Sequence, residues 1–139
     1  MLSRLRDALV AAARLPEVSA HCDLPCGVYD PAQAHIEAES VKALIAKHNA
    51  SDDPVFKTRA IFIKEQRAEL VKHHLWVLWT DYFKAPHFEK YPNLHQLFNE
   101  ATKLAGAGGA KGSLDEAVAD QLLAKIDEIA KIFWETKQA

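Results

Sequence analysis

The sequence predicts an all-α protein, an antiparallel four-helix bundle preceded by a short N-terminal hook of metal-ligand type. Three observations carry that expectation. Apolar residues recur at helical spacing through most of the 139 residues, and no run shows the alternation of a half-buried strand. Helix-start signals precede the periodic runs, and the connections between runs are short enough to favour antiparallel neighbours. Residues 21–31 read HCDLPCGVYDP, which puts both cysteines of the chain within five residues, directly behind a histidine. With 49% hydrophobic residues, the chain has the material for a single core and one domain.

Each element has a local reason. Leu2, Leu5, Leu9 and Ala12 give a short amphipathic helix before Pro16. That first stretch, MLSRLRDALVAAARLPEVSA, carries arginines and an ALVAAA run. Asp7 interrupts it, however, and the apolar core is at the short limit for a signal peptide, so export is the less favoured reading although VSA before His21 resembles a cleavage site. Asp30, Pro31 and Gln33 read as an N-cap, a first-turn proline and a capping-box partner, starting a helix over residues 31–49. Asp53 and Pro54 repeat the signal. Phe56, Ile63, Leu70 and Val77 then mark a long second helix ending near Lys84. APHFEKYP reads as a turn, and Leu94, Leu97, Phe98, Ala101 and Leu104 mark a third helix capped by Gly106. GAGGAKG, residues 106–112, reads as a flexible linker. Ser113 and Glu116 form a capping box before the stripe of Val118, Leu122, Ile126, Ile129 and Phe133 in a fourth helix.

Composition narrows the partners. Seventeen lysines and arginines against nineteen acids leave a net charge of −2, which gives no reason to expect nucleic acid or an acidic membrane surface. No apolar run is long enough to span a membrane. Two cysteines are too few for a disulfide scaffold and fit a reducing compartment or a metal site better.

Residues that break the apolar stripes are informative, because a buried charge without a partner costs several kcal/mol, on the order of the penalty for breaking a buried pair. Glu37 lies on the stripe of the first helix with Val41 and Leu44. Ala60, Arg67, His74 and Asp81 occupy the row beside the apolar stripe of the second. Glu37 and Arg67 therefore read either as a simple interhelical ion pair or as a pair that orients a polar group entering the bundle. His74 and Asp81, seven apart, read as a weaker pair of the same kind, with a satisfied core or interface role the favoured reading.

The hook admits more than one chemistry. A small disulfide turn is the bland reading. Pro25 and Gly27 also let the chain curl so that the Cys22 and Cys26 sulfurs face one point. A closed zinc site wants four side-chain ligands, and no second CxxC or HxxxH accompanies the pair. His73 and His74 are adjacent and point about 100 degrees apart on a helix, a poor chelate. Nickel(II) and copper(II) favour tetragonal nitrogen and sulfur donors, so backbone nitrogens at His21 and Cys22 could complete a planar site. Cleavage after Ala20 would turn the His21 nitrogen into an amine. In the uncleaved chain it is an amide whose lone pair is delocalised.

HCDLPCGVYDP resembles the nickel hook of the nickel-containing superoxide dismutases, and KEQRAELVKHHLWVLWTDYFKAPHFEKYPNLHQLF resembles the second helix of that family and the segment after it. The resemblance covers residues 21–139, with residues 1–20 similar to a removable prosegment. It implies a cytoplasmic bacterial enzyme that converts superoxide to dioxygen and hydrogen peroxide, with one nickel ion per subunit of a homohexamer and a maturation protease as partner. His21 would supply its amine and axial imidazole, Cys22 its amide nitrogen and thiolate, and Cys26 its thiolate. Glu37 and Arg67 match the residues that steer the imidazole, Tyr29 and Tyr82 the tyrosines of a small-anion pocket, and Asp23 the support of the hook loop. Pro25 and Tyr29 would restrict access, and Tyr29 and ordered water are the candidates for the proton route. The rival readings are a non-catalytic nickel- or copper-binding carrier, and an interaction bundle with a reversible disulfide.

Overall fold

The computed structural model describes residues 28–138, and within them every regular element is helical. The hook residues His21, Cys22, Asp23, Pro25 and Cys26, together with residues 1–20, lie outside the described residues. Helix α1 is Ala32–Asn49, α2 Pro54–Val77, α3 Ala85–Lys90, α4 Leu94–Leu104 and α5 Glu116–Lys137. A π-helical turn, Leu78–Tyr82, continues α2. The four long helices form the expected bundle, with α1 packed on α2 and α5, and α4 on α2 and α5.

The helix starts follow the sequence in part: at α1 the N-cap is Pro31, without a side-chain cap, and no capping box forms with Gln33. Asp30 Oδ1 accepts from the Ala32 amide at 2.7 Å, and Asp53 Oδ1 from Val55 at 2.9 Å, each ahead of a proline that has no amide to leave unpaired. At α5 the cap is shifted. Asp115 rather than Ser113 accepts from the second helical amide, Ala117, at 2.9 Å, while the Ser113 hydroxyl accepts from the Asp115 amide at 3.0 Å. An aspartate nearer the run simply replaces serine as the acceptor.

The core row of α2 differs from the expected one. Ala60, Lys64, Ala68, Val71 and Leu75 are buried, whereas Phe56 and Leu70 are each 37% exposed. The expectation followed the largest apolar side chains, but the face that α2 buries carries two alanines, Ala60 and Ala68, and α1, on which it packs, likewise buries Ala34 and Ala38. Val41, Ile45, Leu75, Leu78, Phe98, Leu122, Ile126, Ile129 and Phe133 fill the remaining core.

Two connections are also corrected. APHFEKYP contains the short helix α3, whose start is held by the Lys84 amide donating to His87 Nδ1 at 3.1 Å. The glycine segment is not a slack linker but a packed loop. Ala105 and Ala110 are fully buried, and the Ala110 amide donates to the Leu104 carbonyl at 2.6 Å. A Cβ at Gly109 would stand 2.1 Å from that carbonyl oxygen, so the close approach itself demands glycine.

Candidate metal centre

Tyr29 to Pro31 deliver the chain from the hook into α1. Tyr29 packs half-buried against the core, Pro31 is buried, and Asp30 Oδ1 accepts from the Ala32 amide where the helix begins. One end of the hook is therefore fixed to the bundle. Two turns into α1, Glu37 meets Arg67 of α2. Arg67 Nη1 donates to both carboxylate oxygens, at 3.3 and 3.2 Å, and the Glu37 side chain is only 15% exposed. The sequence pairing is thus realised. Both carboxylate oxygens share a single guanidinium nitrogen, which holds the carboxylate in place while Arg67 stays half-exposed at the bundle surface.

His74 is half-buried on α2, and burial pushes its imidazole below the usual histidine range. The neighbouring His73 charge pushes the same way, and the Glu37 carboxylate opposes both. The suggested partner Asp81 is elsewhere, with its Oδ1 3.0 Å from the Thr80 hydroxyl. The π-helical turn explains the separation: one wide turn between the two residues breaks the seven-residue register that would have stacked them.

The same turn aims Tyr82 at α5. Its ring lies 4.3 Å from that of Phe133, and its hydroxyl is 2.8 Å from Thr136 Oγ1. Thr136 gives its own proton to the Phe133 carbonyl at 2.7 Å, so Tyr82 is the donor and its phenolic proton is committed. Among the described residues no hydrogen bond joins Tyr82 to Tyr29, Glu37 or Arg67.

Sequence reasoning missed Lys64. It is 2% exposed and its Nζ donates to three carbonyls of the glycine loop, those of Ala110 at 3.1 Å, Lys111 at 2.8 Å and Ser113 at 2.6 Å. Burial lowers its pKa and Glu65 opposes that shift, while the three carbonyl dipoles also favour the ammonium form. The only sequence signal is a lysine falling four residues after Ala60 and four before Ala68, in the middle of the alanine row.

Among the described residues, no group of three or more His, Cys, Asp or Glu side chains could hold a metal ion. Both cysteines of the chain, Cys22 and Cys26, lie outside the described residues. The described residues form a helical bundle entered from an N-terminal segment that carries both cysteines, the sequence pattern of a helical metalloprotein. Residues 16–137 match the nickel-containing superoxide dismutases, and the chain belongs to that family. Two curated relatives, superoxide dismutases [Ni] of Streptomyces coelicolor and Streptomyces seoulensis, are each 63% identical over the full length of both chains. The native solved structure of a nickel superoxide dismutase is 66% identical, with a TM-score of 0.81, and covers 86% of this chain and all of its own. Solved variants of nickel superoxide dismutase include replacements of histidine at the first position, aspartate at the third and tyrosine at the ninth.

Proposed function

We infer that this chain, a nickel-containing superoxide dismutase by family, works through the hook at residues 21–29 once residues 1–20 are removed between Ala20 and His21. The observation that carries the reading is the family match over residues 16–137, which spans a hook holding both cysteines. Nickel, one ion per subunit, would be held by the His21 amine and imidazole, the Cys22 amide nitrogen and thiolate, and the Cys26 thiolate. That donor set fits, because nitrogen and thiolate ligands suit tetragonal nickel(II). When bound, nickel in such a set supplies the one-electron couple by which two superoxide ions and two protons become dioxygen and hydrogen peroxide.

The protein residues do the rest. Glu37, fixed by Arg67, orients the His21 ring by accepting its N–H. Tyr29, anchored where α1 begins, delivers a proton through its phenol and with Pro25 admits only a group of about diatomic size. Asp23 supports the hook loop. Tyr82 shapes the aromatic wall rather than supplying protons, since its own is held by Thr136.

Removal of the first twenty residues is supported from two sides. The curated relatives align over the whole chain, whereas the native solved protein matches only 86% of it while being covered completely. Counted from His21, the first, third and ninth residues here are His21, Asp23 and Tyr29, the same residue types replaced in the solved variants. The active form is a homohexamer in the reducing bacterial cytoplasm, where free thiolates persist; among the described residues no helix is long and apolar enough to cross a membrane. A carrier using the same hook without turnover would have no use for the Glu37–Arg67 pair.

The test compares nickel-loaded protein of residues 1–139 with protein beginning at His21, measuring nickel content and superoxide disproportionation together. Activity confined to the shorter form supports the reading, and equal turnover in both overturns it.

A further inference from the structure

We infer that Lys64 is a positioning residue for the Glu37–Arg67 pair, acting at a distance by fixing the rotation of α2. The inference rests on the assignment of that pair to the His21 imidazole. Between Ala60 and Val71 the buried row of α2 contains only Ala60, Lys64 and Ala68. Alanines allow close approach but offer little resistance to a helix turning about its axis, because they interdigitate weakly. The resistance in this stretch comes from Lys64, whose ammonium meets three converging carbonyls at 2.6 to 3.1 Å.

The cradle that receives the ammonium is itself rigid. Ala110 is tied to the Leu104 carbonyl, Gly109 to Gly106 and Gly112 to Gly109 by backbone hydrogen bonds. Gly109 and Gly112 each sit where a Cβ would be 2.1 Å from a carbonyl oxygen. A second tie lies on the surface, where Lys111 Nζ is 3.1 Å from Glu69 Oε2. The loop between α4 and α5 thus grips α2 one turn before and about half a turn beyond Arg67. Arg67 reaches Glu37 from a long, half-exposed side chain. A small rotation of α2 would carry the guanidinium along an arc and open contacts that already stand at 3.2 to 3.3 Å.

Chemical rescue tests this directly. Lys64→Ala leaves three carbonyls facing a cavity shaped for a propyl chain ending in ammonium, so n-propylammonium restores what was cut away. The first readout needs no nickel: side-chain N–H exchange of Arg67, by NMR on the full chain. We expect exchange to rise about 10-fold in Lys64→Ala, in keeping with local loosening, and to return with propylammonium but not with propan-1-ol. Glu69→Gln, which cuts only the exposed tie, should leave Arg67 unchanged. If Lys64→Ala folds only with propylammonium, exchange is read as the amine is dialysed away. Faster exchange confined to residues 106–113, with Arg67 unaffected, would overturn the inference.

The second readout is the nickel-loaded protein beginning at His21. Turnover should fall several-fold in Lys64→Ala at unchanged nickel content and recover with propylammonium. Unaltered turnover together with loosened Arg67 would instead refute the role given to the pair, leaving the mechanical link between Lys64 and Arg67 intact.

Discussion

At the scale of single residues, Glu37 and Arg67 are the side chains whose chemistry the structure makes concrete. Because Arg67 holds the Glu37 carboxylate and is not among the proposed nickel donors, Arg67→Ala should retain nickel while turnover falls on the order of 10-fold to 100-fold. Metal analysis beside a superoxide assay checks both halves, and loss of nickel with activity would contradict them. His74 bears on pH. Its folded pKa lies below its ordinary 6.5 because burial disfavours the imidazolium, so the unfolded chain binds a proton more readily than the native one. The stability it contributes is complete above pH 6.5 and is lost as pH falls from there through the depressed value. Denaturant midpoints from pH 7 to pH 5 should therefore fall less steeply in His74→Gln than in the parent; parallel slopes would exclude His74 as the source.

At the scale of elements, the loop between α4 and α5 behaves as a structural part in its own right. Four of the chain's five glycines lie in it, yet only close approach at Gly109 and Gly112 requires them. Gly109→Ala should lose about 1–3 kcal/mol of stability as overpacking forces the loop away from Leu104. Gly108→Ala, where a Cβ meets nothing within 4 Å, should be close to neutral. Urea titration of both variants separates the two; equal losses would mean that the close approach to Leu104 does not govern the segment. The π-helical turn is the other element with a consequence, since it removes Asp81 from the row of His74 and hands the Tyr82 proton to α5.

At the scale of the molecule, the outer face of α2 exposes Phe62, Leu70 and Trp76. Large apolar side chains grouped on one helix face suit burial between copies, which accords with the proposed hexamer. Sedimentation of the protein beginning at His21 should give six subunits, and Trp76→Glu should reduce the assembly. A monomer in both cases would remove the hexamer from the account. Peroxide, the product, would meet the two cysteines of the proposed hook. Nickel-free protein should oxidise at Cys22 and Cys26 sooner than loaded protein, because a metal engages the sulfur lone pairs. Peptide mass spectrometry before and after peroxide treatment reads the difference, and equal oxidation would argue against protection.

The sequence alone determined the four long helices and their order. Asp30–Pro31 and Asp53–Pro54 are local signals whose meaning does not depend on distant partners, and HCDLPCGVYDP carries the donor set proposed for the hook within a few bonds. Glu37 and Arg67 were legible too, because charges on a helical stripe need each other wherever the helices meet. The tertiary structure alone decided which face of α2 turns inward. Phe56 and Leu70 gave the stronger apolar signal, but the buried row is Ala60, Lys64, Ala68, Val71 and Leu75. It also decided that Lys64 is buried and that a glycine-rich stretch is held rigid. Both outcomes arise from one contact between residues 46 to 49 positions apart, an ammonium against three carbonyls, and periodicity within a helix contains no information about a partner so far along the chain.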